Sequence, residues 1–160
     1  MLDYYTLFYM FVNSLLGSCF SAKLNVYNVR YKMVMQKHSI LIVEDDRAIR
    51  ELYGIKLRLE GFEVFEAENG ETGLEMAEKV KPTLILLDLL MPQVSGEEML
   101  TKLRSTEWGS GIRVIILTNL SKDEAPSSLR ILSVDRYVVK AHYTPQQVVE
   151  IVREVLGIRK

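Results

Sequence analysis

Three stretches of this chain are apolar at every position: Ile40-Leu41-Ile42-Val43, Leu84-Ile85-Leu86-Leu87 and Val114-Ile115-Ile116-Leu117. A run of that length without alternation reads as a strand covered on both faces, as in a parallel sheet sandwiched between helices. Each run stops at polar residues: Glu44-Asp45-Asp46, Asp88 and Thr118. A carboxylate at the end of a buried strand is costly unless something there compensates it. In open α/β sheets the carboxyl edge is also where ligands bind. Two acid-tipped strands side by side would gather three or four carboxylates in one crevice, which suits a hard cation.

From residue 39 onward strand and helix alternate five times. The pattern predicts strands at 40–43, 62–65, 83–87, 113–117 and 136–139, and helices at 47–59, 70–80, 96–105, 126–132 and 145–156. Ser95 with Glu98, and Thr144 with Gln147, read as capping boxes, with Pro145 at a first helical position. Gly61 and Gly157 stand where helices end. The fourth helical segment is poorly specified. Ser121 with Glu124 looks like a capping box, but Pro126 would then fall in the second turn and remove a hydrogen bond. A loop to Ala125 and a short helix from Pro126 is the expectation, with Ser133 a poor substitute for a capping glycine. Alternation of this kind implies a parallel sheet with helices on both faces and right-handed crossovers. No linker or further domain is expected between residue 38 and the end of the chain.

The 160 residues carry a formal net charge of -1 and no basic run, which disfavours direct nucleic-acid binding. One cysteine, Cys19, and two histidines exclude a disulfide scaffold and a Cys/His zinc site, and fit a cytoplasmic setting. Residues 1–36 differ from the rest. They are rich in tyrosine and phenylalanine, and Tyr4 to Ala22 carries no charge, nearly the ~20 residues that span a bilayer. Two readings compete: upstream sequence translated from too early a start, with Met33 or Met35 the true one, or a membrane anchor within residues 1–22. The marginal apolar length favours the first. Lys23, Arg30 and Lys32 would keep the chain beyond such an anchor in the cytoplasm. Asp3 and the missing basic start argue against a signal peptide.

At the predicted carboxyl edge stand Glu44, Asp45, Asp46, Asp88, Thr118 and, after Tyr137-Val138-Val139, Lys140. Each has a plain reading by itself: helix cap, turn, strand end, solvated lysine, core tyrosine. Together they put acids, a hydroxyl and an ammonium at one rim, which suits a cation and a phosphoryl group.

Ile40-Leu41-Ile42-Val43-Glu44-Asp45-Asp46, Leu86-Leu87-Asp88-Leu89-Leu90-Met91-Pro92-Gln93-Val94-Ser95-Gly96, Thr118 and Tyr137-Val138-Val139-Lys140 resemble the receiver domain of two-component response regulators. The likeness covers residues 38–157. It implies a flavodoxin-like (βα)5 fold, a doubly wound parallel five-stranded sheet in the order 2-1-3-4-5. It also implies that Asp88 accepts a phosphoryl group from the phosphohistidine of a sensor kinase or phosphotransfer protein, giving an aspartyl phosphate. Mg²⁺ would be held by Asp45, Asp88 and the Leu90 main-chain carbonyl, and through water by Glu44. Asp46 would cap the helix. Lys140 and Thr118 would meet the phosphoryl oxygens, and Thr118 with Tyr137 would carry the switch to a downstream partner.

Two positions depart from that pattern. Ala141 stands where the family usually has proline, and Asn119 where it prefers alanine or glycine. Leu90 and Leu120 are apolar beside the path of a hydrolytic water, so slow loss of the phosphoryl group is expected and no other enzymatic activity. An aspartyl-nucleophile phosphatase would need an acid at position 90, where Leu90 stands. A docking module independent of phosphorylation is the remaining alternative.

Overall fold

The computed structural model describes residues 38–158. The readings made on residues 1–36 lie outside the described residues. Five strands are connected by helices in the order β1 (Ser39–Val43), α1 (Arg47–Leu59), β2 (Glu63–Ala67), α2 (Gly70–Val80), β3 (Leu84–Leu87), α3 (Gly96–Ser105), β4 (Arg113–Thr118), β5 (Arg136–Val139) and α4 (Pro145–Leu156). All neighbours pair in parallel and the sheet order is β2-β1-β3-β4-β5. This is the flavodoxin-like doubly wound arrangement that the resemblance implies.

The unbroken apolar runs are explained by burial from both sides. Ile40, Ile42, Leu84, Leu86, Ile115 and Leu117 face one way and pack with Tyr53 and Leu57 of α1 and Val148, Val149 and Val152 of α4. Leu41, Val43, Ile85, Leu87, Val114 and Ile116 face the other way and pack with Ala77 of α2 and Met99, Leu100 and Leu103 of α3. Burying each such aliphatic side chain is worth about 1.5–3 kcal/mol, so strands with no exposed side are strongly favoured here. The chain leaves β1 toward β2 on one side and returns to β3 on the other. The connections after β1 and β3 therefore diverge, opening a crevice at their carboxyl ends.

The four α-helices have the bounds the sequence pattern sets. Thr144 and Gln147 form a complete capping box with Pro145 in the first turn, and Gly157 closes α4 at φ 71°. Ser95 caps α3 by accepting from Glu98 N at 3.2 Å, without a return bond from Glu98, so only half of that expected box forms. Gly61 follows the cap of α1 at φ 91°.

The expected fourth helix is corrected: between β4 and β5 there is one 3-10 turn, Ser127–Arg130. Pro126 itself is extended at ψ 133°, so no helix begins there. Glu124 closes the preceding turn with its own carboxylate, accepting from Ser121 N at 3.0 Å and Ser121 Oγ at 2.6 Å. Ser133 takes up the left-handed conformation at φ 51°, the strained chain reversal that glycine would make easily. β2 starts one residue later than expected and runs to Ala67, because Phe62 N is spent on Leu57 O at the exit of α1 rather than on the ladder.

Candidate functional site

The crevice between β1 and β3 is lined by the acids that end those strands. Glu44 prolongs β1, its N–H donating to Ala67 O at 3.1 Å, and its side chain is buried. Asp45 follows and is exposed. Asp46 turns away: its Oδ1 accepts from Ala48 N at 2.8 Å and Ile49 N at 3.1 Å, making it the N-cap of α1. Asp88 prolongs β3, donating its N–H to Val43 O at 2.9 Å. Its Oδ1 accepts from Leu90 N at 3.1 Å, which leaves Oδ2 facing the crevice.

Lys140 enters from the far strand. It opens a 3-10 turn, Lys140–His142, directly after β5. Its Nζ lies 2.6 Å from Asp88 Oδ2 and 2.6 Å from Glu44 Oε2. All three side chains are under 10 % exposed, at 8 %, 6 % and 4 % for Lys140, Asp88 and Glu44. No peptide bond is cis among the described residues, so Lys140 reaches both acids across a trans bond to Ala141.

One ammonium thus serves two buried carboxylates. Burial raises the Glu44 carboxyl above its usual range; Lys140 opposes this, while Asp88 and Asp45 add to it. Burial pulls the Lys140 ammonium down, but the bonds and charges of Asp88 and Glu44 outweigh it, and its pKa lies above the ordinary lysine value. The crevice carries surplus negative charge. One oxygen each from Glu44, Asp45 and Asp88 lies within 4.8 Å of the others. An all-oxygen donor set, two parts buried and one part exposed, fits Mg²⁺, which keeps several waters and takes few carboxylates. Leu90 belongs to the same turn, its N–H held by Asp88 and its side chain half exposed.

Thr118 and Tyr137 sit one strand further. Thr118 is fully buried at the end of β4, beside Val139 of β5, and its Oγ1 accepts from Leu120 N at 3.5 Å. Among the described residues no hydrogen bond joins it to Asp88 or Lys140. The Tyr137 ring packs into the core layer of α2 and α3, and its hydroxyl donates toward Leu120 O at 3.1 Å and Ser121 O at 3.4 Å. Burial raises its phenol pKa, helped by the charges of Glu124 and Asp88.

Two residues beside the site carry no signal in the sequence pattern. Tyr53 of α1 lies 5 % exposed in the core below the crevice. Burial raises its phenol pKa, Lys140 opposing and Glu44 adding. Arg50, also on α1, donates from Nη1 to Glu44 O at 2.6 Å and Asp45 O at 3.2 Å. Both would pass for an ordinary core tyrosine and a solvated helix arginine. Only the fold brings them to the acids.

The model of the response regulator receiver domain matches residues 40–153. Among curated relatives, the phosphate regulon transcriptional regulatory protein PhoB of Pseudomonas aeruginosa is 36 % identical over 120 residues, covering 74 % of this chain and 51 % of its own. The probable transcriptional regulator ycf27 of Porphyridium aerugineum is 33 % identical over 122 residues, covering 76 % of this chain and 49 % of its own. The chain thus spans about half the length of these relatives. Among solved structures, a response regulator receiver domain protein from Methanospirillum hungatei superposes with a TM-score of 0.67 at 32 % identity, over 74 % of this chain and 93 % of that one. The response regulator TrrA of Thermotoga maritima, solved in complex with Mg(2+)-BeF, superposes with a TM-score of 0.65 at 33 % identity, over 73 % and 97 %. With the sheet order, the acid crevice and the sequence match in agreement, the chain belongs to the receiver domain family of two-component response regulators.

Proposed function

We propose that Asp88 accepts a phosphoryl group from the phosphohistidine of a sensor kinase or phosphotransfer protein, and that the resulting aspartyl phosphate switches binding of a downstream protein. The observation that carries this reading is the placement of Asp88 Oδ2, buried and 2.6 Å from the Lys140 ammonium. Asp88 Oδ2 attacks phosphorus as the Lys140 ammonium passes from it to the phosphoryl oxygens, the phosphorus–nitrogen bond to the donor imidazole breaks, and the imidazole nitrogen keeps the electron pair. Lys140 offsets charge on the phosphoryl oxygens, and the Leu90 N–H steadies the other Asp88 oxygen. Asp45, Asp88 and the Leu90 carbonyl would hold Mg²⁺, with Glu44 reaching it through water. When bound, that ion would supply positive charge that offsets the crowded carboxylates and neutralises the transferring group. Thr118 would swing its hydroxyl to the new phosphoryl group, releasing the 119–121 loop that Tyr137 grips, and this loop is the two-state element the charge biases.

The test is to incubate the full chain with acetyl phosphate and Mg²⁺ and map the modified residue by mass spectrometry. Modification at Asp88, abolished in Asp88→Asn, is the expected result; undiminished labelling of that variant would overturn the assignment. The half-exposed apolar Leu90 offers a hydrolytic water no hydrogen bond. Phosphorylated Leu90→Asn is therefore expected to decay faster than the parent protein in excess Mg²⁺, as read by loss of label with time.

A further inference from the structure

We infer that Arg50 is a positioning residue for the cation pocket: braced by Glu66, its guanidinium grips the main-chain carbonyls of Glu44 and Asp45 and so fixes the two carboxylates beside them. This rests on the reading of the crevice as a Mg²⁺ site. Three consecutive acids fill the short connection from β1 to α1, and like charges so close repel one another. Past the bond from Glu44 N to Ala67 O, the sheet ladder no longer holds this connection. Asp46 is taken up in capping α1, so its side chain cannot hold the loop either.

Lys140 holds the Glu44 carboxylate and Asp46 holds the helix end, while Arg50 restrains the main chain between them. Its Nη1 is 2.6 Å from Glu44 O and 3.2 Å from Asp45 O, and its side chain is only 13 % exposed. Behind it, Nε lies 3.9 Å from Glu66 Oε2 on β2, while Glu66 Oε1 takes a 2.7 Å bond from Arg58. Gly54 keeps room for this brace: a Cβ there would stand 2.5 Å from Glu66 Oε1 and 2.9 Å from an Arg58 nitrogen. Both carbonyls are met by one nitrogen, Nη1, while Nε of the same planar group faces Glu66, so the guanidinium links the loop to β2 through two separate nitrogens, which the single ammonium of a lysine lacks.

Charge alone predicts the opposite behaviour. A fixed cation beside the pocket repels Mg²⁺, so removing it would tighten metal binding if charge were its whole role. If it positions the loop, removing it loosens binding, and losses of roughly 10-fold or more are typical when groups that orient metal ligands are removed. The experiment is a calorimetric Mg²⁺ titration of the full chain and of Arg50→Met, Arg50→Lys and Glu66→Gln. The expected result is Mg²⁺ affinity weaker by about 10-fold in Arg50→Met, incompletely rescued by Arg50→Lys, with a smaller loss in Glu66→Gln. Unchanged or tighter binding in Arg50→Met, or full rescue by lysine, would overturn the inference. If Arg50→Met does not fold, Glu66→Gln decides: unchanged affinity there overturns it. A parent protein that binds no Mg²⁺ faults the cation site itself, an outcome distinct from equal binding by parent and variant.

Discussion

Lys140 balances two carboxylates with one charge, and this imbalance is testable by pH. Glu44 lies above its ordinary 4.5 in the folded protein because it is buried. The folded state therefore keeps a proton that the unfolded chain has already released, and stability from this group falls as pH rises from about 4.5 through the raised value. Lys140→Met removes the one influence that lowers the Glu44 pKa, and it leaves Asp88 without its ion pair. Breaking a buried pair by deleting one partner costs about 3–5 kcal/mol. Without Mg²⁺, the melting midpoint of Lys140→Met should sit well below that of the parent at pH 8 and much closer to it at pH 5, as measured by calorimetry. A deficit that does not change with pH would show that Glu44 does not titrate in response to Lys140. The neighbouring acids separate by role: Asp45→Ala should weaken Mg²⁺ binding with little change in melting, while Asp46→Ala should cost about 1 kcal/mol of stability with little change in Mg²⁺ binding. From the strand end and the helix start alone either Asp45 or Asp46 could have capped α1, and only the family resemblance pointed to Asp46, which is the cap. Arg50 and Tyr53 were not, because nothing in their spacing along α1 distinguishes a residue beneath the crevice from any other on that helix.

The turn from β3 into α3 is set by one residue. A Cβ on Gly96 would collide with the Asp88 carbonyl oxygen and approach Leu89 Cα to 3.0 Å, all of it backbone that cannot swing aside. The first turn of α3 thus packs directly on the strand end that presents Asp88, and Gly96 N donates to Leu89 O at 3.2 Å across the same gap. Gly96→Ala should lose at least about 2 kcal/mol in denaturant unfolding, with labelling of Asp88 reduced as well. At Gly111 an added Cβ meets nothing within 4 Å, so Gly111→Ala is the matched control and should stay within about 0.5 kcal/mol. In α4 cap, apolar stripe and stop signal agree; α1 was legible from its stripe and Gly61, α3 from its stripe and Ser95, and α2 from its stripe alone. Between β4 and β5 these signals conflict. Pro126 forbids what Ser121 and Glu124 invite, Ser133 ends the segment awkwardly, and Ile131 is left 83 % exposed. A single 3-10 turn is the outcome, and no local rule available in the sequence selects it over a short helix.

At the scale of the whole molecule, the site exists because two core layers hold one sheet rigid while the connections at its carboxyl edge diverge. Among the described residues, both layers are built from side chains between Ile40 and Ile158. The amino edge of the sheet is also closed by this stretch of chain: Ser39 N donates to Thr83 Oγ1 at 3.2 Å, Thr83 N to Ser39 O at 2.8 Å, and Glu63 N to His38 O at 3.1 Å. Each of these bonds joins two described residues, the earliest of them His38. A chain beginning at Met35 is therefore expected to melt at the same temperature as the full chain and to bind Mg²⁺ with the same affinity, both compared in the same mild detergent because residues 4–22 are uncharged. A domain of this size shifts its midpoint by about 4 °C per kcal/mol. A drop larger than that on truncation would mean that the preceding residues pack on the domain and stabilise it. An unchanged midpoint with weakened Mg²⁺ binding would place their contribution at the crevice instead of the core.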